Sequence, residues 1–166
     1  MFSRAAWGSL LFTILVPGTV AGLIPLLISR WQVAQDLSPE GPLRVLGAVL
    51  IVAGLPMLLG AIYRFASEGR GTPAPIAPTR QLVIGGPNRY VRNPMYMAVV
   101  SIILGQALLL GRTDLLWYGL IVAIGQALFV HFYEEPTLHR QFGDDYDRYR
   151  AAVRAWIPRR TPWDGS

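Results

Sequence analysis

Four stretches of this chain run for 19 residues or more without a charged side chain, and no other feature constrains its fold as strongly. They cover residues 5–29, 45–63, 93–111 and 115–133, and each is bounded by Arg, Asp or Glu. At about 1.5 Å of rise per residue, 19 helical residues match the roughly 30 Å hydrocarbon core of a bilayer. Only helices and closed barrels satisfy their backbone in lipid, and these runs lack the alternation of barrel strands. The expectation is an all-α integral membrane protein: one membrane domain over 1–166 with about four transmembrane helices. Thr19-Val20-Ala21 loosely resembles a signal-peptide cleavage site, but the apolar run continues to Ile28, which fits a span.

Composition closes off several chemistries. Charged residues are 15% of the chain against about a quarter in soluble domains. There is no cysteine, so disulfides, thiol catalysis and cysteine-held metals are excluded. All 15 basic residues are Arg, which removes lysine Schiff-base chemistry. Their distribution sets a topology. Twelve lie in the N-terminus, the segment between spans two and three, and the C-terminal tail; three (Arg30, Arg44, Arg112) lie on the other side. The positive-inside rule places both termini and the long central segment in the cytoplasm, as a multi-pass protein of the inner (plasma) membrane. Topology and anionic lipid account for the basic balance, and no nucleic-acid partner is expected.

Spans three and four are separated only by Arg112, Thr113 and Asp114. So short a link forces an antiparallel hairpin, which brings residues 80–96 and 131–149 to one cytoplasmic face. The first of these segments belongs to a loop, 69–92, that starts with a proline-stiffened stretch and continues Gly85-Gly86-Pro87-Asn88-Arg89-Tyr90-Val91-Arg92-Asn93-Pro94-Met95-Tyr96. Asn93-Pro94 has the form of a helix start, with Asn capping and Pro in the first turn. A helix N-terminus with Arg89 and Arg92 beside it suits a carboxylate or phosphate; the same arginines could instead anchor the loop to lipid headgroups. The second segment holds Glu134 and Glu135 at the end of a span. Paired carboxylates there are expensive to desolvate and mark a functional site, holding a cationic ligand or pairing with the Arg-rich loop. His131, Glu134, Glu135 and His139 have spacings that invite a metal, but Pro136 interrupts them and no metal is expected. In the tail, Tyr146, Tyr149, Val153 and Trp156 recur at helical spacing over 144–157, ended by Pro158. This reads as an amphipathic interfacial helix, an anchor or a lid. Gln106 and Gln126 read as interhelical hydrogen-bonding groups, and Gly47, Gly54, Gly60, Gly105, Gly119 and Gly125 as points of close helix approach.

The run from Gly86 to Tyr96, followed by Glu134-Glu135-Pro136, Phe142-Gly143, Tyr146, Tyr149 and Ile157-Pro158, resembles the isoprenylcysteine carboxyl methyltransferase and phospholipid methyltransferase superfamily, in particular its small bacterial members. The likeness covers about residues 69–160. It implies an S-adenosylmethionine-dependent membrane methyltransferase acting at the cytoplasmic face on an apolar or lipid-like acceptor. It further implies that Gln81, Leu82, Val83, Asn88, Tyr90, Asn93, Pro94, Met95, Tyr96 and Glu134 bind the cofactor. Arg92, Glu134 and Glu135 are the expected catalytic residues, and a proton-accepting role falls to Glu134, Glu135 or His131 if the acceptor is a hydroxyl or amine. Two positions depart from the pattern. Asn93 stands where many relatives have His, and an amide does not titrate near neutral pH. Val130 stands where prenylcysteine-specific relatives have Arg, which argues against a prenylated protein as substrate. Two other classes compete: an NADPH-dependent membrane reductase of the sterol type, whose comparable helix start continues with Gly and an acid rather than Met97-Ala98, and a non-catalytic small membrane protein.

Overall fold

The computed structural model describes residues 15–34, 37, 41–67 and 82–165. Among these residues it is built of helices without strands. Helix α1 spans Leu15–Ser29 and contains a π-helical turn at Thr19–Leu23. Helix α2 is Gly41–Ser67, and α3 is Pro94–Leu110. Helix α4 runs Thr113–Phe142 through a π-helical turn at Val130–Glu134. Helix α5 is Asp144–Ala152. Among the described residues, two stretches are long and apolar enough to cross a membrane: Gly41–Arg64 in α2, with 24 residues, and the 30 residues of α4. Helices α1 and α3 are apolar but shorter. Residues 5–14 of the first predicted span, and residues 69–81 of the predicted loop, Gln81 included, lie outside the described residues.

Glycine sets the distance between α2 and α3. A Cβ on Gly105 would sit 2.6 Å from Ile51 Cγ1 and 2.7 Å from the Gly47 carbonyl, and one on Gly54 would meet Ile102 at 2.9 Å. The backbones therefore touch where a larger residue would hold them apart. Gly119 plays a similar part between α4 and α3, with Ile103 and Leu104 opposite. Gly125, expected at such a contact, faces open space instead.

Proline explains the bond made by Gln106. Pro25 lacks the N–H that would bond the Ala21 carbonyl one turn earlier. Gln106 Nε2 on α3 donates to that carbonyl at 2.7 Å, and Tyr118 on α4 donates to the neighbouring Val20 carbonyl at 2.8 Å. The π-turn of α1 is thus satisfied by side chains from two other helices. Gln106 bonds between helices as the sequence suggested. Gln126 does not: its Oε1 is buried without a partner.

The hairpin is tighter than its sequence suggested. Gly111, at φ 67°, closes α3, and only Gly111 and Arg112 lie between the helices. Thr113 and Asp114 already belong to the first turn of α4, where Arg112 forks onto the Asp114 carboxylate. The Arg112 guanidinium also donates to the Ser29 carbonyl, so the end of α1 meets this turn.

Candidate functional site

The opposite end of the hairpin carries the polar chemistry. On α3, Pro94 occupies the first turn as expected, but Asn93 does not cap the helix. Its side-chain amide donates to the Ala155 carbonyl of the tail at 3.2 Å. On α4, Glu134 and Glu135 stand inside the helix rather than at its end. Pro136 accounts for the local geometry. It cannot donate an N–H, and the preceding backbone shifts to a π-turn in which the Glu135 N–H bonds the Val130 carbonyl. Thr137 Oγ1 then donates to the Tyr133 carbonyl. Single π-turns inside α-helices occur frequently at functional sites.

The two glutamates have different partners. Tyr96, near the start of α3, donates its hydroxyl to Glu134 Oε2 at 3.0 Å. Arg92 pairs with Glu135 Oε1 at 2.7 Å, each side chain 11% exposed, and Arg150 approaches Glu135 Oε2 at 3.4 Å. The Arg92 Nη1 also donates to the Tyr146 hydroxyl at 2.9 Å. Glu135 is thus enclosed by cations from the loop and from α5, while Glu134 faces Tyr96. Two atoms in this corner are buried without partners: Arg92 Nε and Asn88 Oδ1.

Helix α5 and the tail fold onto the loop. The helix ends at Ala152, five residues short of the predicted end, because Val153 adopts extended dihedrals and the chain turns back. Tyr146, Tyr149 and Val153, expected at a lipid interface, are buried with Trp163 and pack against Leu82, Ile84, Leu138 and Phe142. Tyr149 donates to the Asn88 carbonyl at 2.7 Å, and Arg92 N–H to the Arg154 carbonyl at 3.0 Å. Arg159 N–H donates to the Tyr90 carbonyl, Trp163 N–H donates to the Arg89 carbonyl, and Arg89 Nε donates to the Trp163 carbonyl. Arg89, read as an anion-binding or headgroup-anchoring group, therefore fastens the tail. Burial pushes both Tyr146 and Tyr149 hydroxyls above the usual tyrosine range, partly offset at Tyr146 by Arg92 and at Tyr149 by its bond to Asn88.

A cavity of about 440 Å³ opens between α3 and α4 beside this corner, lined by Leu50, Tyr96, Ser101, Leu104, Gln126 and Trp156 among others. Trp156 is therefore a cavity residue rather than an anchor on a helix. Of the residues expected to bind cofactor, Tyr96 lines the cavity and bonds Glu134, and Asn88 and Asn93 are buried at the loop–tail seam. Pro94 is fully buried, and Val83 is buried in the segment that packs on the tail. Leu82 packs on the tail cluster, Met95 packs into the core between α1, α2 and α3, and Tyr90 is exposed. Trp156, Ser101 and Leu50 escaped sequence reasoning, since nothing in an apolar run distinguishes a cavity face from a packed one. Among the described residues, no group of three or more His, Asp or Glu converges as metal ligands.

A hairpin of apolar helices thus carries a buried Arg–Glu corner at one end, and two of the described helices are long and apolar enough to cross a membrane. Residues 43–145 match the family model described as phospholipid methyltransferase, and the chain belongs to that family. It is by family a membrane methyltransferase. A protein of Haemophilus influenzae described as uncharacterized is 37% identical over 67 residues, which are 38% of this chain and the whole of that protein. No solved structure matches the chain.

Proposed function

We propose that this protein transfers a methyl group from S-adenosylmethionine to an apolar or lipid-like acceptor at the cytoplasmic face of the inner membrane. The observation that carries the reading is the Tyr96–Glu134 hydrogen bond at the edge of an apolar cavity. It puts a carboxylate beside a volume large enough for a lipid chain or a nucleoside. The residues present fit the cofactor's charges. Glu134 uses one oxygen for Tyr96, and the other suits an ammonium or sulfonium. The α3 N-terminus, uncapped by Asn93, and the unpartnered Arg92 Nε suit a carboxylate.

When bound, S-adenosylmethionine supplies an electrophilic methyl on a sulfonium. The chain's own work is positioning, which is the main requirement of an in-line displacement. Tyr96 fixes the Glu134 carboxylate, and Glu135, held by Arg92 and Arg150, fastens the loop to α4 and α5. A hydroxyl or amine acceptor needs a group to take its proton. Glu135 is committed to two arginines and His131 is exposed against Phe132, so Glu134 fills that role. Four spans and cytoplasmic termini complete the reading. Their support is the twelve-to-three arginine distribution and the 17 residues of α3, within the range that spans a bilayer.

The test is titration of the purified protein with S-adenosylmethionine and, separately, with NADPH. Transfer of labelled methyl into membrane extracts follows, with identification of the labelled product. Binding of the methyl donor and a labelled lipid-soluble product are expected; binding of NADPH alone would overturn the reading in favour of a reductase.

A further inference from the structure

Helix α5 buries its aromatic stripe against the loop, which leaves the tail's contact with the bilayer to the segment that follows. From Val153 onward the backbone is extended or irregular rather than helical. It is strapped to the loop: Arg92 N–H donates to the Arg154 carbonyl at 3.0 Å, and Arg159 N–H to the Tyr90 carbonyl at 2.8 Å. The Asn93 side-chain amide holds the Ala155 carbonyl. Asn93 immediately precedes α3, so this bond fixes the strap at the level where α3 begins. Trp156 lies at that level too, since it lines the apolar cavity together with Tyr96 and Met97 of the first α3 turn. The outward side of the strap combines two chemistries. Ile157 is 59% exposed and Trp156 38%. Arg154 and Arg160 flank them, and both are exposed. Among the described residues neither guanidinium has an ion-pair or hydrogen-bond partner, whereas Arg148 pairs with Asp145 and Arg150 with Glu135. Apolar side chains between unpaired arginines, at the depth where an apolar helix begins, match the boundary between acyl chains and phosphates.

We propose that residues 154–160 bind anionic phospholipid in the leaflet at the glutamate end of the hairpin. Ile157 and the exposed edge of Trp156 enter the acyl boundary, and the Arg154 and Arg160 guanidinium groups take the phosphates. A zwitterionic headgroup leaves part of the arginine charge uncompensated, so the site favours a lipid of net negative charge. The assignment depends neither on methyl transfer nor on which leaflet faces the cytoplasm. It has a consequence for the polar corner. The strap holds the backbone of Tyr90 and Arg92 and the side chain of Asn93, so lipid that fixes the strap also fixes the loop that presents Arg92 to Glu135.

The chain has no cysteine, so Ile157→Cys carries a single fluorescent label in the full-length protein. The labelled protein is placed in phosphatidylcholine nanodiscs in which a growing share of the lipid is brominated, as phosphatidylglycerol or as phosphatidylcholine. Bromine quenches the label on contact. Both lipids should quench, and phosphatidylglycerol should reach half-quenching at a mole fraction lower by about fivefold for each arginine. Arg154→Gln combined with Arg160→Gln should abolish that preference while quenching by phosphatidylcholine persists, which shows that the strap is still docked. Arg148→Gln, which removes a paired arginine of α5, should leave the preference unchanged. Failure of both lipids to quench would place the strap in water and overturn the assignment. Equal half-quenching by the two lipids, or a preference that survives the double substitution, would overturn it as well. So would competition by inorganic phosphate at concentrations too low to screen charge, since the arginines would then serve a soluble anion.

Discussion

Glu135 pairs with Arg92 and Arg150, whereas Glu134 accepts from Tyr96, and substitutions should separate the adjacent carboxylates cleanly. Glu134→Gln keeps an acceptor for Tyr96 but removes the charge. It should lower affinity for the methyl donor by tenfold or more, the scale of a lost charge-assisted bond, with little change in unfolding temperature. Glu135→Gln breaks a buried ion pair and should destabilise the fold by about 3 kcal/mol. Calorimetry and thermal unfolding on the same two variants check both outcomes, and an exchanged pattern would exchange the roles. Tyrosine gives a pH signature. The hydroxyls of Tyr146 and Tyr149 titrate higher in the folded than in the unfolded chain because they are buried. Their contribution is complete below about pH 10, where both states are protonated, and is lost as pH rises through the folded values. Above about pH 10 stability should fall by up to about 1.4 kcal/mol per pH unit for each tyrosine. Protease protection of the tail across that range reads it out.

The π-turn at Val130–Glu134 fixes which way Glu134 faces, and Pro136 is its physical cause. Pro136→Ala restores an N–H and favours a regular helix. Rotating the preceding turn should break the Tyr96–Glu134 bond, weakening donor binding without loss of helical content in circular dichroism. The α2–α3 seam offers a packing test. Gly105→Ala would drive a Cβ into Ile51 and the Gly47 carbonyl and should cost about 1–3 kcal/mol. Gly125→Ala, with nothing within 4 Å, should be neutral or slightly stabilising by helix propensity. Thermal unfolding of the two variants side by side separates a packing glycine from an unpacked one.

At the scale of the molecule, the hairpin divides the chain into two ends. One holds Arg112, Asp114 and the end of α1; the other holds the loop, the glutamates and the tail. The absence of cysteine makes every introduced thiol unique. Trp31→Cys should react with an impermeant maleimide in intact spheroplasts, and Thr161→Cys only after permeabilisation. The reverse pattern would invert the membrane orientation.

The long uncharged runs announced helices, and the two-residue turn left the Arg-bearing loop and the glutamates no choice but to meet, because so short a link cannot separate the helix ends. Residue type likewise singled out Arg92, Glu134 and Glu135, since buried charge in an apolar chain needs a partner, whereas Tyr96 was indicated only by the family resemblance. The sequence pattern failed where two environments share one periodicity. Tyr146, Tyr149 and Val153 have the spacing of a lipid-facing stripe, and only tertiary packing turned that stripe inward onto Leu82, Ile84 and Trp163. The division of labour between adjacent glutamates also came from the fold. A π-turn beside Pro136 sets their directions, and identical side chains one residue apart carry no trace of it in sequence. The cavity beside Tyr96 was likewise illegible in sequence, because its lining comes from α2, α3, α4 and the tail together and depends on how they pack.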